Sequence, residues 1–145
     1  MDNTGSIFTD TARLHHRYHH NIFMSYDLYR GQNRLFDKLS ESGEVSQTEL
    51  ARKMNIAPAT LTRMVQNMEK KGYITRKKDK LDQRITLISL TPKGQNTRSS
   101  INQKLEDIDQ RIFKNFTEDE RRILKDMLLR IQDHLLKELK DENNN

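Results

Sequence analysis

The stretch from Ser46 to Leu90 sets the strictest limit on what this chain can fold into. Ser46-Gln47-Thr48-Glu49 is a capping box, with Ser46 as N-cap and Glu49 three residues on. The helix it opens ends near Lys53, and Asn55-Ile56-Ala57 turns the chain. Pro58 suits the first position of the next helix, where its missing N–H costs nothing. That helix is expected to run to Lys71 and stop at Gly72. Beyond Gly72 the period changes. Tyr73 to Lys77 and Ile85 to Leu90 are rich in β-branched and aromatic residues and flank the polar segment 78–84, which predicts a β-hairpin with a charged tip. With only 5 Gly and 2 Pro in 145 residues, the fold class is mainly α with a small β-hairpin.

The flanks are helical. A first helix is expected from Ile7 to Tyr26, with Leu14, Tyr18, Ile22 and Tyr26 on one stripe. A second covers Gln32 to Leu39, turns Leu35, Phe36 and Leu39 inward, and stops at Glu41-Ser42-Gly43. Thr91-Pro92 restarts a helix whose stripe is Ile101, Leu105, Ile108, Ile112 and Phe116. Thr117-Glu118-Asp119-Glu120 is another capping box, and the last helix carries Leu124, Leu128, Ile131, Leu135 and Leu139. At 33% hydrophobic, 32% charged and mean hydropathy −0.95, the chain is too polar for a compact sphere and suits long helices that share a core with a partner. Exposed stripes of this length are usually interfaces, so Leu14, Tyr18, Leu124, Leu128, Ile131 and Leu135 are expected at a homodimer seam. Residues 1–145 are expected to form a single domain. Its core is 28–94, with dimerisation helices over 1–27 and 95–140 and a frayed tail over 141–145.

Composition removes several function classes. With no Cys, a disulfide scaffold, a thiol sensor, a Cys nucleophile and a Cys-based zinc site are out. The apolar runs are too short to span a membrane, so a cytoplasmic protein is expected. There is no G-x-S-x-G, no phosphate-binding Gly loop and no H-E-x-x-H, so no enzyme and no cofactor is expected. The net charge is +5, and its placement is informative. Residues 51–84 hold ten cations against three anions, a net +7, while the rest of the chain sums to −2. That concentration fits a footprint for phosphates better than an ordinary solvated face.

Helix, short turn, helix and hairpin is the layout of a winged helix-turn-helix. On a helical wheel Leu61, Met64, Val65 and Met68 cluster on one side of the second helix. Ala59, Arg63, Gln66 and Lys70 lie opposite, with Thr60, Thr62 and Asn67 on the flanks. Arg63 can pair bidentately with guanine and Gln66 with adenine in a major groove. Ala51 is small enough to let the two helices cross closely. In the hairpin, Arg76, Lys77, Lys78, Lys80 and Arg84 crowd together, and Asp82 can orient the Arg84 guanidinium. A long cation at such a tip can enter a narrow minor groove.

At this point the chain resembles the MarR-type transcription regulators. The likeness rests on Leu28-Tyr29-Arg30-Gly31-Gln32, Ser46-Gln47-Thr48-Glu49-Leu50-Ala51, Pro58-Ala59-Thr60-Leu61-Thr62-Arg63, Met68-Glu69-Lys70-Lys71-Gly72-Tyr73-Ile74, Asp82-Gln83-Arg84 and Leu90-Thr91-Pro92-Lys93-Gly94, in the family's order and spacing. The resemblance implies a homodimer held by its terminal helices and bound to palindromic double-stranded DNA. It places the helix from Pro58 in the major groove and Arg84 in the minor groove. Ser46, Gln47, Pro58, Ala59, Thr60, Thr62, Arg63, Gln66, Lys70, Arg76, Lys77, Lys78 and Arg84 are then the expected DNA-binding residues, with Asp82 supporting the wing. One departure is Ala57, where many relatives place a Ser or another capping residue. Relatives often bind small aromatic or phenolic effectors between the dimer arm and the winged helix, a site with no sequence motif to carry over. The function this implies is a ligand-responsive repressor.

Two other features have to be weighed. His15 with His19 and His16 with His20 are i,i+4 pairs that can share a metal on a helix, but Arg17 intervenes and no Asp or Glu completes a site within the cluster. It is read as a solvated helical face, ahead of a metal site or a pH-sensitive dimer contact. The alternative function is a winged-helix interaction module whose basic face binds an acidic protein.

Overall fold

The computed structural model describes residues 3–29 and 31–143, so Arg30 of the first family motif lies outside the described residues. The elements are α1 (Thr4–Met24), α2 (Gln32–Ser42), β1 (Val45–Ser46), α3 (Gln47–Met54), α4 (Pro58–Lys70), β2 (Ile74–Lys78), β3 (Thr86–Leu90), α5 (Pro92–Ile112) and α6 (Glu118–Asn143). They divide into two compact units, residues 1–105 and 106–145. No described helix is long and apolar enough to cross a membrane.

Local chemistry explains most boundaries in the first unit. Ser46 Oγ accepts the Glu49 N–H at 3.2 Å and starts α3. Asn55 takes a left-handed conformation, φ 51°, that ends α3. Pro58 opens α4, and Ala57 before it offers no side-chain cap. At the far end of α4, Gly72 adopts φ 77° while its N–H reaches the Glu69 carbonyl and the Tyr73 N–H reaches the Met68 carbonyl. This double closure requires a positive φ at the residue after the cap, and Gly72 meets it without a Cβ penalty. Thr91 Oγ1 accepts the Gly94 N–H at 3.0 Å and starts α5.

The core of this unit is built from fully buried Leu28, Leu35, Phe36, Leu39, Leu50, Met54, Leu61, Val65, Met68, Ile74, Ile88 and Ile101. It therefore draws one side of each of α2, α3 and α4 together with the sheet. Ala51 is buried as expected, and the Phe36 and Tyr73 rings meet with centroids 5.3 Å apart. Gln32 is buried as well, and both ends of its amide are satisfied. Its Oε1 accepts the Tyr29 N–H at 2.9 Å, and its Nε2 donates to Asn67 Oδ1 at 2.8 Å. Replacing Asn67, itself exposed, by alanine would exchange that acceptor for water. The expected cost is about 0.5–1.5 kcal/mol, seen as a lower urea midpoint at unchanged slope.

In the second unit the capping box at Thr117 is complete. Glu120 N–H donates to Thr117 Oγ1 at 3.2 Å, and Thr117 N–H donates to Glu120 Oε2 at 2.8 Å. On α6, Leu128, Ile131, Leu135 and Leu139 are exposed and Leu124 is half-buried. The helix continues to Asn143, into the segment expected to fray, because no Gly or Pro interrupts it there.

Several expectations need correction. The first helix starts at Thr4 and ends at Met24, because Ser25 Oγ donates to the Ile22 carbonyl at 2.7 Å and Asp27 turns to φ 56°. Tyr26 thus lies past the helix and off its stripe. Glu49 does not return to Ser46; its carboxylate binds Arg52 at 2.7 and 3.1 Å, a bidentate partner one turn ahead. The hairpin is part of a three-stranded sheet, order β1-β3-β2, in which Val45 pairs with Ile88 and Ser46 with Leu87. Phe116 lies beyond the end of α5 at Ile112, and it meets Phe113 edge-on with ring centroids 5.7 Å apart.

Candidate nucleic-acid interface

Helix α4 has the two faces that its sequence predicts. Leu61, Val65 and Met68 are fully buried, and Met64 is half-buried. Ala59, Thr60, Arg63, Gln66, Asn67 and Lys70 are exposed. The inner face therefore locks the rotation of the helix, and the outer row is held out as a unit. Arg63, Gln66 and Lys70 form no hydrogen bond or ion pair with another described residue. Their donors remain available.

Other expected residues are already engaged. Ser46 Oγ accepts at its cap, which leaves its O–H to donate. Gln47 Nε2 donates to Thr62 Oγ1 at 2.9 Å, and that hydroxyl donates to the Pro58 carbonyl at 2.9 Å, which ties α3 to the start of α4. Arg76 makes two bonds to Glu69, at 2.7 and 3.0 Å, and Lys77 pairs with Glu44 at 2.5 Å. Lys78 Nζ donates to Thr86 Oγ1 at 3.1 Å. Exposed ion pairs of this kind are worth about 0–1 kcal/mol, so a phosphate can compete with them.

The loop between β2 and β3 is shaped by two aspartates. Asp79 Oδ1 accepts the N–H groups of Leu81 at 2.7 Å and Asp82 at 2.9 Å, and the Asp79 N–H closes on the Ile85 carbonyl at 3.0 Å. Asp82 Oδ1 accepts from Arg84 N at 3.0 Å and from Arg84 Nε at 3.1 Å, while Asp82 Oδ2 takes Arg84 Nη2 at 3.3 Å. The Arg84 side chain is nonetheless 92% exposed, so it is oriented without being covered. The side-chain and backbone hydrogen bonds from Arg84 hold the Asp82 carboxyl below its ordinary value. A depressed folded-state value means the contact is at full strength above the ordinary aspartate pKa. It is lost only as pH falls through the depressed one. An NMR titration of Asp82 should therefore show a midpoint below that of an unstructured aspartate. Arg84→Ala should raise it towards the ordinary value, with the residue-84 N–H still holding part of the depression, and an unchanged midpoint would remove Asp82 as the residue that orients Arg84.

Arg84 and the start of the helix-turn-helix share one concavity. A cleft of about 550 Å³ is lined by Ser46, Gln47, Thr48 and Ala51, by Pro58, and by Arg84, Ile85 and Thr86. The fold thus brings the α3 N-terminus, the α4 N-terminus and the wing cation to one side of the unit. A further tether comes from Lys71, which joins the end of α4 to the segment after α1. Its Nζ bonds the Asp27 carbonyl, pairs with Asp27 Oδ2 at 3.2 Å and lies 4.8 Å from the Tyr29 ring centroid. No local pattern announces a contact between residues so far apart in the chain.

Comparison with known proteins places this architecture. The model of the MarR family matches residues 28–86. A crystal structure from Bacillus cereus ATCC 10987, described as a MarR-like transcription regulator, is 32% identical at a TM-score of 0.67, covering 90% of this chain and 94% of its own. The chain belongs to the MarR family. The uncharacterized HTH-type transcriptional regulator YdgJ of Bacillus subtilis is 34% identical over 70% of this chain. The match spans 62% of that relative's length. The fold is also that of a mutant of S. aureus MepR bound to an oligodeoxyribonucleotide, with TM-score 0.77, 18% identity, and coverage of 93% and 99% of the two chains.

Proposed function

We propose that this MarR-family chain is a cytoplasmic, homodimeric transcription regulator that binds a palindromic double-stranded DNA operator. The observation that carries this reading is the outer row of α4: Arg63, Gln66 and Lys70 stand exposed and unengaged on a helix fixed from behind by Leu61, Val65 and Met68. Thr60, Ala59 and Thr62 complete the surface offered to base edges, and Arg63 and Gln66 carry the donors that read guanine and adenine. Ser46, Gln47 and Pro58 face the phosphates beside them, Arg84 enters the minor groove, and Arg76, Lys77 and Lys78 neutralise the flanking backbone. Exposed Leu14 and Tyr18 on α1, and Leu128, Ile131 and Leu135 with Leu124 on α6, supply the apolar surface for the dimer seam. A two-fold dimer sets two recognition helices ~34 Å apart, one turn of DNA. Such a protein represses by occupying its operator and is released by a small-molecule effector. It needs no cofactor and performs no catalysis.

Selection of bound duplexes from a random library by the purified protein tests the proposal. An enriched palindrome with half-sites one turn apart is the expected result. Retention that is salt-sensitive but enriches no sequence would overturn it, leaving a basic surface without base readout.

A further inference from the structure

Of the two apolar residues in the seven-position loop between β2 and β3, Ile85 is 39% exposed where the chain enters β3, and Leu81 stands out at the tip near Arg84. Leu81 is 99% exposed, in a segment otherwise made of Asp79, Lys80, Asp82, Gln83 and Arg84 before Ile85. A lone exposed leucine is ordinary on a protein surface. Leu81 differs in how it is presented. Its N–H is bound by Asp79 Oδ1 at 2.7 Å, the next N–H is bound by the same oxygen, and Asp82 in turn holds Arg84. The backbone that carries this apolar side chain is therefore fixed on the same short, internally bonded tip as the wing cation, three residues away from it, and the side chain projects into solvent. Residues 76–84 carry five cations and two anions, a net +3, a charge that favours a negatively charged surface.

We propose that Leu81 is a DNA-contacting residue that packs against the deoxyribose walls of the minor groove beside Arg84. This rests on the DNA reading above. The minor groove offers two rows of sugar rings with C–H surfaces on either side of the base edges, and apolar side chains of architectural proteins enter it readily. Arg84 answers the potential in the groove, and Leu81 covers the sugar surface from which water must leave as the guanidinium enters. The two contributions differ in one measurable respect. A cation on a phosphate releases counterions and steepens the salt dependence, whereas an apolar contact releases none.

The test compares the full-length protein with Leu81→Ala, Leu81→Met and Arg84→Ala. Fluorescence anisotropy is measured on the duplex pool that the unaltered protein enriches, at several salt concentrations from about 50 to 200 mM, the range over which counterion release changes affinity most visibly. Burying most of a leucine side chain predicts that Leu81→Ala binds about tenfold more weakly at every salt concentration, with an unchanged slope of log affinity against log salt. Leu81→Met, similar in volume, stays within about twofold. Arg84→Ala loses affinity and flattens the slope. Because Leu81 is exposed, the thermal midpoint of Leu81→Ala should match that of the unaltered protein, so a weaker complex is not a folding defect. Affinity of Leu81→Ala within about twofold of the unaltered protein would overturn the inference while leaving the DNA reading intact, as would a flattened slope like that of Arg84→Ala. If the unaltered protein retains no duplex, the DNA reading itself falls and takes this inference with it.

Discussion

Gly94→Ala should destabilise the protein by about 3 kcal/mol, because a methyl group at this position has nowhere to go. A Cβ built on Gly94 would collide with the Tyr73 carbonyl oxygen and sit 3.0 Å from the Tyr73 carbonyl carbon. Both atoms are backbone, and neither side can retreat cheaply. The Tyr73 carbonyl accepts the Thr91 N–H at 3.0 Å, and Thr91 Oγ1 bridges the Gly72 carbonyl at 2.5 Å and the Gly94 N–H at 3.0 Å. The Tyr73 hydroxyl is anchored on the Tyr26 carbonyl at 3.0 Å. Accommodating the methyl means parting the first turn of α5 from the start of β2, which loosens the base of the wing. Gly5→Ala is the matched control. Nothing lies within 4 Å of its added Cβ in α1, and alanine should be neutral or favourable by about 0.5–1 kcal/mol in a helix. Urea denaturation of the two variants decides the matter. A Gly94→Ala protein that unfolds with the parent would mean the contact is not fixed in solution.

The affinity for a selected operator should fall ~10³-fold or more between about 50 and 200 mM salt, if the dimer neutralises roughly six or more phosphates. The cations that supply this are distributed unevenly. Arg63, Lys70 and Lys80 have no ion-pair partner among the described residues, whereas Arg52, Lys71, Arg76, Lys77 and Arg84 each face a carboxylate. Arg63→Ala should cost ~1–3 kcal/mol at particular base pairs and relax discrimination there. Lys70→Ala should weaken binding about equally on all sequences and lower the salt slope by about one. Competition titrations against duplexes altered one base pair at a time separate the two. Uniform loss across every duplex for Arg63→Ala would make it a phosphate contact and move base reading to Gln66 and its neighbours.

What could be read in the chain without the structure follows from how local each signal is. The caps at Ser46, Thr91 and Thr117, the proline at the start of α4 and the stop at Gly72 act within three or four residues, and their chemistry operates in any context. The two faces of α4 were legible for the same reason, since burial repeats with the helical period. Strand β1 was not. Val45 and Ser46 make a two-residue strand that exists only because β3 lies beside it, and the one local sign is a β-branched residue between Gly43 and the cap. The partners of Arg76 and Lys77 were equally hidden, unlike the local Asp82–Arg84 pair. Glu44 meets Lys77 and Glu69 meets Arg76 only after the hairpin folds back on the helices.

For the candidate interface the division is similar. Residue types, their spacing on α4 and the excess of cations over 51–84 belong to the sequence, because periodicity and charge are additive along a chain. Tertiary packing decided that Lys71, Arg76 and Lys77 are paired, whereas Arg52 and Arg84 meet carboxylates two or three residues away. Packing also set the buried Gln32 amide against Asn67 and brought the Tyr73 carbonyl onto Gly94. Those outcomes depend on distances between segments tens of residues apart, and only close packing of a particular core brings such groups within about 3 Å of each other.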